Sequence, residues 1–498
     1  MSDSRIVVGI AAVYLVACLV IGMLPGRRAS DSAEGYVAGD RTLGPLVMFF
    51  ITGATIFSAF AFLGMPGKAY SQGAWAFMVL AYGAFGFIPF YFLGPRAARL
   101  GREYGFVTQG QMVAHRFHSL PIPGVMALIS AGAFVPYLAI QIKGAGYVLN
   151  SMTQGAVSEQ VGGAIVYGVV LVYVLKSGVL GVGWTNTFQG IFMMVLAWAM
   201  GLYLPYALYG GVGEMFRRIA EERPELLRAP GLGPDGAQGS WGEYTSAVIV
   251  TSIGFSAWPH LFMKAFTARS EATIRRTVVL YPIFSIFLVP ILLIGFSGVL
   301  FEPAPAQADQ VLPHMLMSIE LSPWIVGLFC AGALAASMSS GDAIVHACSS
   351  ILVRDGWITA LGRKLDTHAE RRLIRYLIVV LLGASYGLAF HYEGSLFDLL
   401  LYAYGPVVQF MPAVVAALYI RRATGPGVLA GLVVGVSVNI LFAVCPDLRP
   451  FALHAGLYGF VANVAALALV SAVTRREIDG EERYLAVAAG DDVREPSS

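Results

Sequence analysis

"GATIFSAFAFLGMPG", Gly53 to Gly67, lies in one of the most apolar parts of the chain, yet it is a poor membrane helix. It sets small and hydroxyl residues, then Pro66 and Gly67, where a spanning helix favours unbroken Leu and Val. The pattern returns in "SIGFSAWPH", Ser252 to His260. Backbone groups inside a bilayer must be satisfied within the protein. An interruption at that depth is therefore tolerated only where it is buried or lines a cavity. Two interruptions of similar wording make the breaks themselves the feature to explain.

The surrounding composition fixes the solvent. The chain has 498 residues, 57% hydrophobic and 12% charged, about half the ~25% charged residues of a soluble domain. The bilayer is the medium, and a net charge of +2 carries no nucleic-acid signature. Cys18, Cys330, Cys348 and Cys445 are scattered, without metal-ligand spacing or a disulfide framework. The first apolar run, "RIVVGIAAVYLVACLVIGML", ends in "PGRRAS" rather than a small-residue cleavage site, and reads as a retained helix.

Runs of roughly 20 apolar residues mark spanning helices. Thirteen occur, near 5–25, 44–70, 74–95, 122–149, 160–180, 184–209, 242–264, 277–300, 321–350, 373–391, 395–420, 427–445 and 452–474. They are too long and too continuously apolar for barrel strands, which alternate over about 10 residues. The expected fold class is an all-α polytopic membrane protein. Arg27, Arg28 and Arg41 follow segment one, and Arg96, Arg99, Arg102 and Arg116 follow segment three. Lys264, Arg269, Arg275 and Arg276 follow segment seven, and Arg354 to Arg375 follow segment nine. Arg421 and Arg422 follow segment eleven, Arg475 and Arg476 segment thirteen. The positive-inside rule places these loops in the cytoplasm, with the N-terminus outside and the C-terminus inside. The opposite loop at 210–243 reads as a short surface helix followed by a Gly/Pro tether, and 477–498 as a short cytoplasmic tail.

Segments two and seven are five helices apart and so cross in opposite directions. Five-helix units opening on them, 44–209 and 242–422, would be inverted repeats, with 427–474 as two extra helices. Transporters of that type bind solute and ion near the midplane, at unwound helices. Segment nine adds "AGALAASMSSGDAIVHACSS". Its small residues allow close helix packing, while Ser339 and Ser340 would offer hard oxygen ligands. Asp342 is an intramembrane carboxylate, a functional-site hypothesis by default.

The chain resembles the sodium:solute symporter family, from about Tyr36 to Arg422. The resemblance rests on "YVAGDRTLG", "TQGQMVAHRF", "YLAIQIKGAGYVL", "GVGWTNTFQG", "WPHLFMKAFTARS", "AASMSSGDA" and "YIRRATGPGVLAG", in order along the chain. It implies a five-plus-five inverted repeat of the leucine-transporter type, with one helix before it and two after. It also implies a sodium ion held by Ala54, Phe57, Ala336, Ser339 and Ser340, and "GVGWTNTFQG" as the turn between segments five and six. Two departures remove negative charge from the ion path. Ile56 stands where proline permeases carry aspartate, and Asn186 where most members do. Asn186 and Asp342 thus mark a possible ion or proton path, and proton coupling is the competing reading.

Solute contacts are expected from Thr52, Thr55 and Ser58 in segment two, and from Gln141 in segment four. Thr251, Phe255, Ser256 and Trp258 in segment seven, with Tyr404 and Gln409 in segment eleven, complete the set. Lys143 either snorkels to the headgroups or attracts a carboxylate; His346 reads as a packing histidine. His115 and His118 lack carboxylate partners and do not read as metal ligands. The motif wording is most similar to the monocarboxylate branch, with a zwitterion such as proline or alanine as alternative. No cofactor beyond the coupling ion is implied. The expected partners are a small solute, Na+ and the bilayer of a bacterial inner membrane, without nucleic acid or an obligate protein. The apolar region holds no convergent nucleophile, acid/base pair or metal cluster, so an enzyme is not expected. A sensor would need a domain beyond the short tail, and a channel would not place aromatics around both breaks.

Overall fold

The computed structural model describes residues 2–24, 32–319, 321–392, 394–475 and 480–491. Arg27, Arg28, Arg476 and both ends of the tail lie outside them. Among the described residues the only β-pairings are the isolated bridges Leu43–Ala268 and Leu232–Gln238. Ten helical stretches are long and apolar enough to cross a membrane. The thirteen expected segments map onto these ten and segment seven. Segments two and three are joined in one stretch, segments five and six in another, and segment seven is too interrupted to count by length.

Segment two is two half-helices, Pro45–Ile56 and Met65–Gln72, joined through Phe57–Ala59 and a wide turn at Phe60–Gly64. Segment seven is Trp241–Phe255, a break at Ser256–Trp258, and the short turns Pro259–Phe262 and Lys264–Thr267. Segment nine, Pro323–Ile351, is unbroken and continues into a wide turn at Leu352–Ala360.

Segments five and six form one helical run, Glu159–Tyr209, of 51 residues. At 1.5 Å per residue a straight helix of that length would overshoot a bilayer about twofold. The run breaks at Gly178, with φ 55° and ψ −144°, a conformation open to glycine. A Cβ there would collide with the Tyr36 carbonyl. The expected turn at "GVGWTNTFQG" is corrected accordingly: the break precedes it, and Asn186 lies within the helix.

The basic loops meet at one end of the bundle. Arg41 donates to the carbonyls of Phe266 and Phe106, each at 3.0 Å. Arg99 grips Glu271 with two bonds of 2.9 and 2.8 Å, and Arg354 pairs with Glu370 at 2.5 Å. At the opposite end Lys68 of segment two pairs with Asp398 of segment eleven at 2.9 Å. There too Tyr147 donates to Gln307 at 3.0 Å.

Two peripheral stretches are more ordered than their composition indicates. The expected tether after the helix Val212–Glu222 is a packed loop. Leu226 and Leu232 are buried, and the Leu232 N–H donates to the Gln72 carbonyl at 3.0 Å. The tail contains a helix, Glu481–Ala489, docked on the basic end. Glu481 pairs with Arg116 at 2.8 Å with both side chains almost fully buried, and the Tyr484 hydroxyl donates to the Met112 carbonyl at 3.1 Å.

Removing one partner of a buried pair costs about 3–5 kcal/mol. Glu481→Gln should therefore abolish hydrogen-exchange protection over Glu481–Ala489 and leave the spans protected. His115 packs at a tilt against Tyr104 and against Tyr484 of this helix, with ring centroids at 4.5 and 6.0 Å. Burial, then the nearby His118, lowers its pKa from the ordinary 6.5. The docked state thus prefers the neutral ring, and protection should be full above that value and weaken as pH falls below it.

Candidate ion and solute site

A broken helix leaves carbonyls at the end of its first half and N–H groups at the start of its second. Here the carbonyls are capped from segment nine, and the N–H groups from segment four and from Ser58 within the break. The Ser339 hydroxyl donates to the Ala54 carbonyl at 2.9 Å, and Ser340 to the Thr55 carbonyl at 2.6 Å. On the other side of the break, the Ala59 N–H donates to Gln141 Oε1 at 2.9 Å and the Phe60 N–H to Ser58 Oγ at 3.1 Å. Gln141 is itself steadied by the Tyr137 carbonyl at 3.2 Å.

Asn186 ties the same point to segment six. Its Nδ2 donates to Thr55 Oγ1 at 3.1 Å and to the Ser339 carbonyl at 2.9 Å. Ser339 also reaches the Ala336 carbonyl at 3.1 Å. Ala54, Ala336 and Ser339 are thus joined directly, Ser340 binds the adjacent carbonyl, and the Phe57 ring stacks on Phe284 at 5.0 Å. The donor set is carbonyl and hydroxyl oxygen, which suits a hard monovalent or divalent cation. Most buried polar atoms find a partner, but Thr52 Oγ1, Asn186 Oδ1 and Asp342 Oδ1 are buried without a hydrogen bond among the described residues. Asp342 Oδ2 accepts from the Tyr173 hydroxyl at 2.7 Å and from Thr185 at 3.2 Å. These oxygens fit a small cation, and no group of three His, Cys, Asp or Glu side chains suited to a metal occurs among the described residues.

The second break is walled by aromatic rings. Trp258 stands edge-on to Tyr404 at 5.4 Å and against Tyr137 at 5.2 Å, while Phe255 packs on Tyr82 at 6.0 Å. The Ser256 hydroxyl donates to the Gly86 carbonyl at 2.5 Å, and Thr251 bonds back to Ala247 at 2.7 Å. Two expected residues point elsewhere. Gln409 faces the extra helices, donating to the Gly456 carbonyl at 3.2 Å, while Asn463 donates to its carbonyl at 2.8 Å. It does not join the cluster, because small residues at Gly435 and Gly459 open a slot for it there. Lys143 donates to the Tyr392 carbonyl and lies near the rings of Tyr147 and Tyr392, at the non-basic end. His346 bonds the Tyr36 carbonyl at 3.0 Å.

Lys264 is the residue that loop counting misplaces. It is buried, and with His260, Val182 and His346 it lines a narrow cavity toward the basic end from Ser339. The Pro-His step before it was the available signal, since it announces one more turn inside the protein.

The model of the sodium:solute symporter family matches residues 36–435. The chain belongs to that family. It is a multi-pass membrane transporter and not an enzyme. An uncharacterised symporter of Bacillus subtilis, YhjB, is 27% identical, with 94% of this chain and 97% of that one covered. A monocarboxylate transport permease of Rhizobium johnstonii is 22% identical (92% and 95%), and the high-affinity proline transporter PutP of Bacillus subtilis 26% (92% and 96%). Among solved structures, a Na+-coupled sialic acid symporter in a substrate-bound outward-open state superposes with TM-score 0.76 at 20% identity. It covers 95% of this chain and 98% of that one. The fold is thus the five-plus-five architecture of the leucine-transporter type.

A Cβ at Gly341 would collide with the Tyr167 hydroxyl, which bonds the Ser337 carbonyl at 2.9 Å. Overpacking of this kind costs about 1–3 kcal/mol, so Gly341→Ala should lower the melting temperature of the detergent-solubilised protein. Gly383, with nothing within 4 Å of its would-be Cβ, is the control: Gly383→Ala should be neutral or stabilising by up to about 1 kcal/mol.

Proposed function

We propose that this transporter imports a small monocarboxylate together with Na+ across a bacterial cytoplasmic membrane, with the basic end and both the tail helix and C-terminus inside. The repeats are 44–209 and 242–422. The observation that carries the reading is the pair of hydroxyls, Ser339 and Ser340, set on the carbonyls of Ala54 and Thr55 at the helix break. Ala54, Phe57, Ala336, Ser339 and Ser340 would hold the ion, whose charge draws the two repeats together at that point. Segment nine then carries its hold on segment two from one access state to the other.

Thr52, Thr55 and Ser58, with Thr251, Phe255, Ser256, Trp258 and Tyr404, line the solute's place between the breaks. Gln141 serves it indirectly, as the cap of the second half-helix. An anion is favoured because Ile56 and Asn186 replace carboxylates while Lys264 and Lys143 stand on the two sides of the centre. Lys143 acts at the mouth, raising the local concentration of carboxylate. A proton-coupled mechanism is the second reading. It is favoured by Asp342, fully buried with one oxygen lacking a partner among the described residues.

Labelled pyruvate uptake into proteoliposomes separates the two. An inward sodium gradient should drive accumulation, and a sodium-free inward proton gradient should not; the reverse result moves the coupling to Asp342. Ser339→Ala with Ser340→Ala should raise the half-saturating sodium concentration by about tenfold or more, and unchanged kinetics would remove the proposed ion site. Lys143→Met should raise the KM for pyruvate by roughly threefold to tenfold at low salt with little change in maximal rate. Accumulation of proline but not pyruvate would reject the monocarboxylate assignment.

A further inference from the structure

The tail helix Glu481–Ala489 has only nine residues, too few to hold a helix in water on its own. Its order comes from what it touches, and it touches two different elements. On one side lies the end of segment three, the helix Ile88–Tyr104. Arg99 of that helix donates to the Ala488 carbonyl at 2.7 Å, and Glu103 pairs with Arg483 at 3.0 Å. Arg99 also holds Glu271, the first residue of the helix that leads into segment eight, at 2.8 Å. On the other side lies the helix Gln109–Phe117, in the loop between segments three and four. Glu481 pairs with its Arg116 at 2.8 Å, and the Tyr484 hydroxyl donates to its Met112 carbonyl at 3.1 Å.

The loop helix is in turn fixed to the bundle. The Thr108 hydroxyl, which caps its first turn through the Gln111 N–H at 3.2 Å, donates to Asp355 in the wide turn after segment nine. A Cβ at Gly110 would collide with the same carboxylate, so the loop helix lies directly on it. Gln109 donates to the Ala257 carbonyl, inside the break of segment seven, at 3.4 Å. The loop helix is thus a floor under the second break, anchored to the end of segment nine.

Alternating access of this kind rocks one group of helices against another around a fixed site. Parting segments three and eight from the end of segment nine would pull the tail helix in two directions, because it is bonded to both sides. The pair of Glu481 with Arg116 is almost fully buried, and breaking it there is costly. We propose that the tail helix is a latch, which holds the cytoplasmic side closed and must release before the solute can leave inward. Such a latch requires the basic end to face the cytoplasm, as proposed above, and is independent of the solute's identity.

The test is the reactivity of a buried reporter, Thr267→Cys in a Cys445→Ser background, toward a membrane-impermeant maleimide in sealed inside-out vesicles. Thr267 is buried and lines the narrow cavity toward the basic end; the remaining cysteines, Cys18, Cys330 and Cys348, are buried. Labelling should be slow while the tail is docked. Glu481→Gln should speed it by about tenfold or more. Tyr484→Phe, which removes a single hydrogen bond, should speed it by about fivefold, even if the first variant is unstable. Unchanged labelling in both variants, with hydrogen exchange showing Glu481–Ala489 unprotected, overturns the latch. An equal rise in inside-out and right-side-out vesicles, with a lower melting temperature, also overturns it, because the whole bundle would then have loosened. A rise in right-side-out vesicles alone would put the basic end outside, which overturns the proposed sidedness and the cytoplasmic latch with it.

Discussion

Two serine hydroxyls on two carbonyls hold the centre of this molecule. Breaking segment two at Phe57–Ala59 frees polar backbone in the middle of an apolar bundle, and an uncapped buried group costs about 1–3 kcal/mol. Ser339 and Ser340 cover the carbonyl side of the break and Gln141 with Ser58 the N–H side. The remaining packing follows from that need. Segment nine must be unbroken and small-faced to come close enough, and Gly341 and Gly144 leave no room for a side chain against Tyr167 and Ala59. Oxygens that satisfy one another in this way can also turn to a cation, and the proposed ion site rests on that.

The two ends of the bundle are closed by different chemistry. At the basic end, arginines from the loops after segments one, three and nine are spent on carbonyls and on Glu271, Glu370 and Glu481. That bracing joins loops of both repeats and the tail. At the other end Lys68 pairs with Asp398, its ammonium 4.8 Å from the Phe397 ring, while Tyr147 donates to Gln307 and Lys143 to the Tyr392 carbonyl.

Much of this was legible in the sequence because lipid leaves few options. Thirteen apolar runs, two breaks written in Ser, Gly and Pro, and the adjacent hydroxyls of segment nine can be read without coordinates. What could not be read depends on distant partners. Gln409 looks like a solute ligand until Gly435 and Gly459 open a slot for it between the extra helices. Asn186 looks like a loop residue because Gly178, eight positions earlier, does the turning. Lys264 reads as one of the loop charges, although the turn Lys264–Thr267 keeps it inside. The polar tail gave no hint of docking, since its anchor is a single pair, Glu481 with Arg116, across more than three hundred residues of chain.

The most direct measurement is hydrogen exchange over Gly53–Gly64 in sodium chloride and in choline chloride, for the wild-type chain and for Ser339→Ala with Ser340→Ala. If the break is the ion site, sodium at a hundredfold excess over its Kd should slow exchange there by up to about a hundredfold, and the double variant should lose the effect. Exchange that is identical in the two salts, or a sodium effect that survives in the variant, would contradict the account.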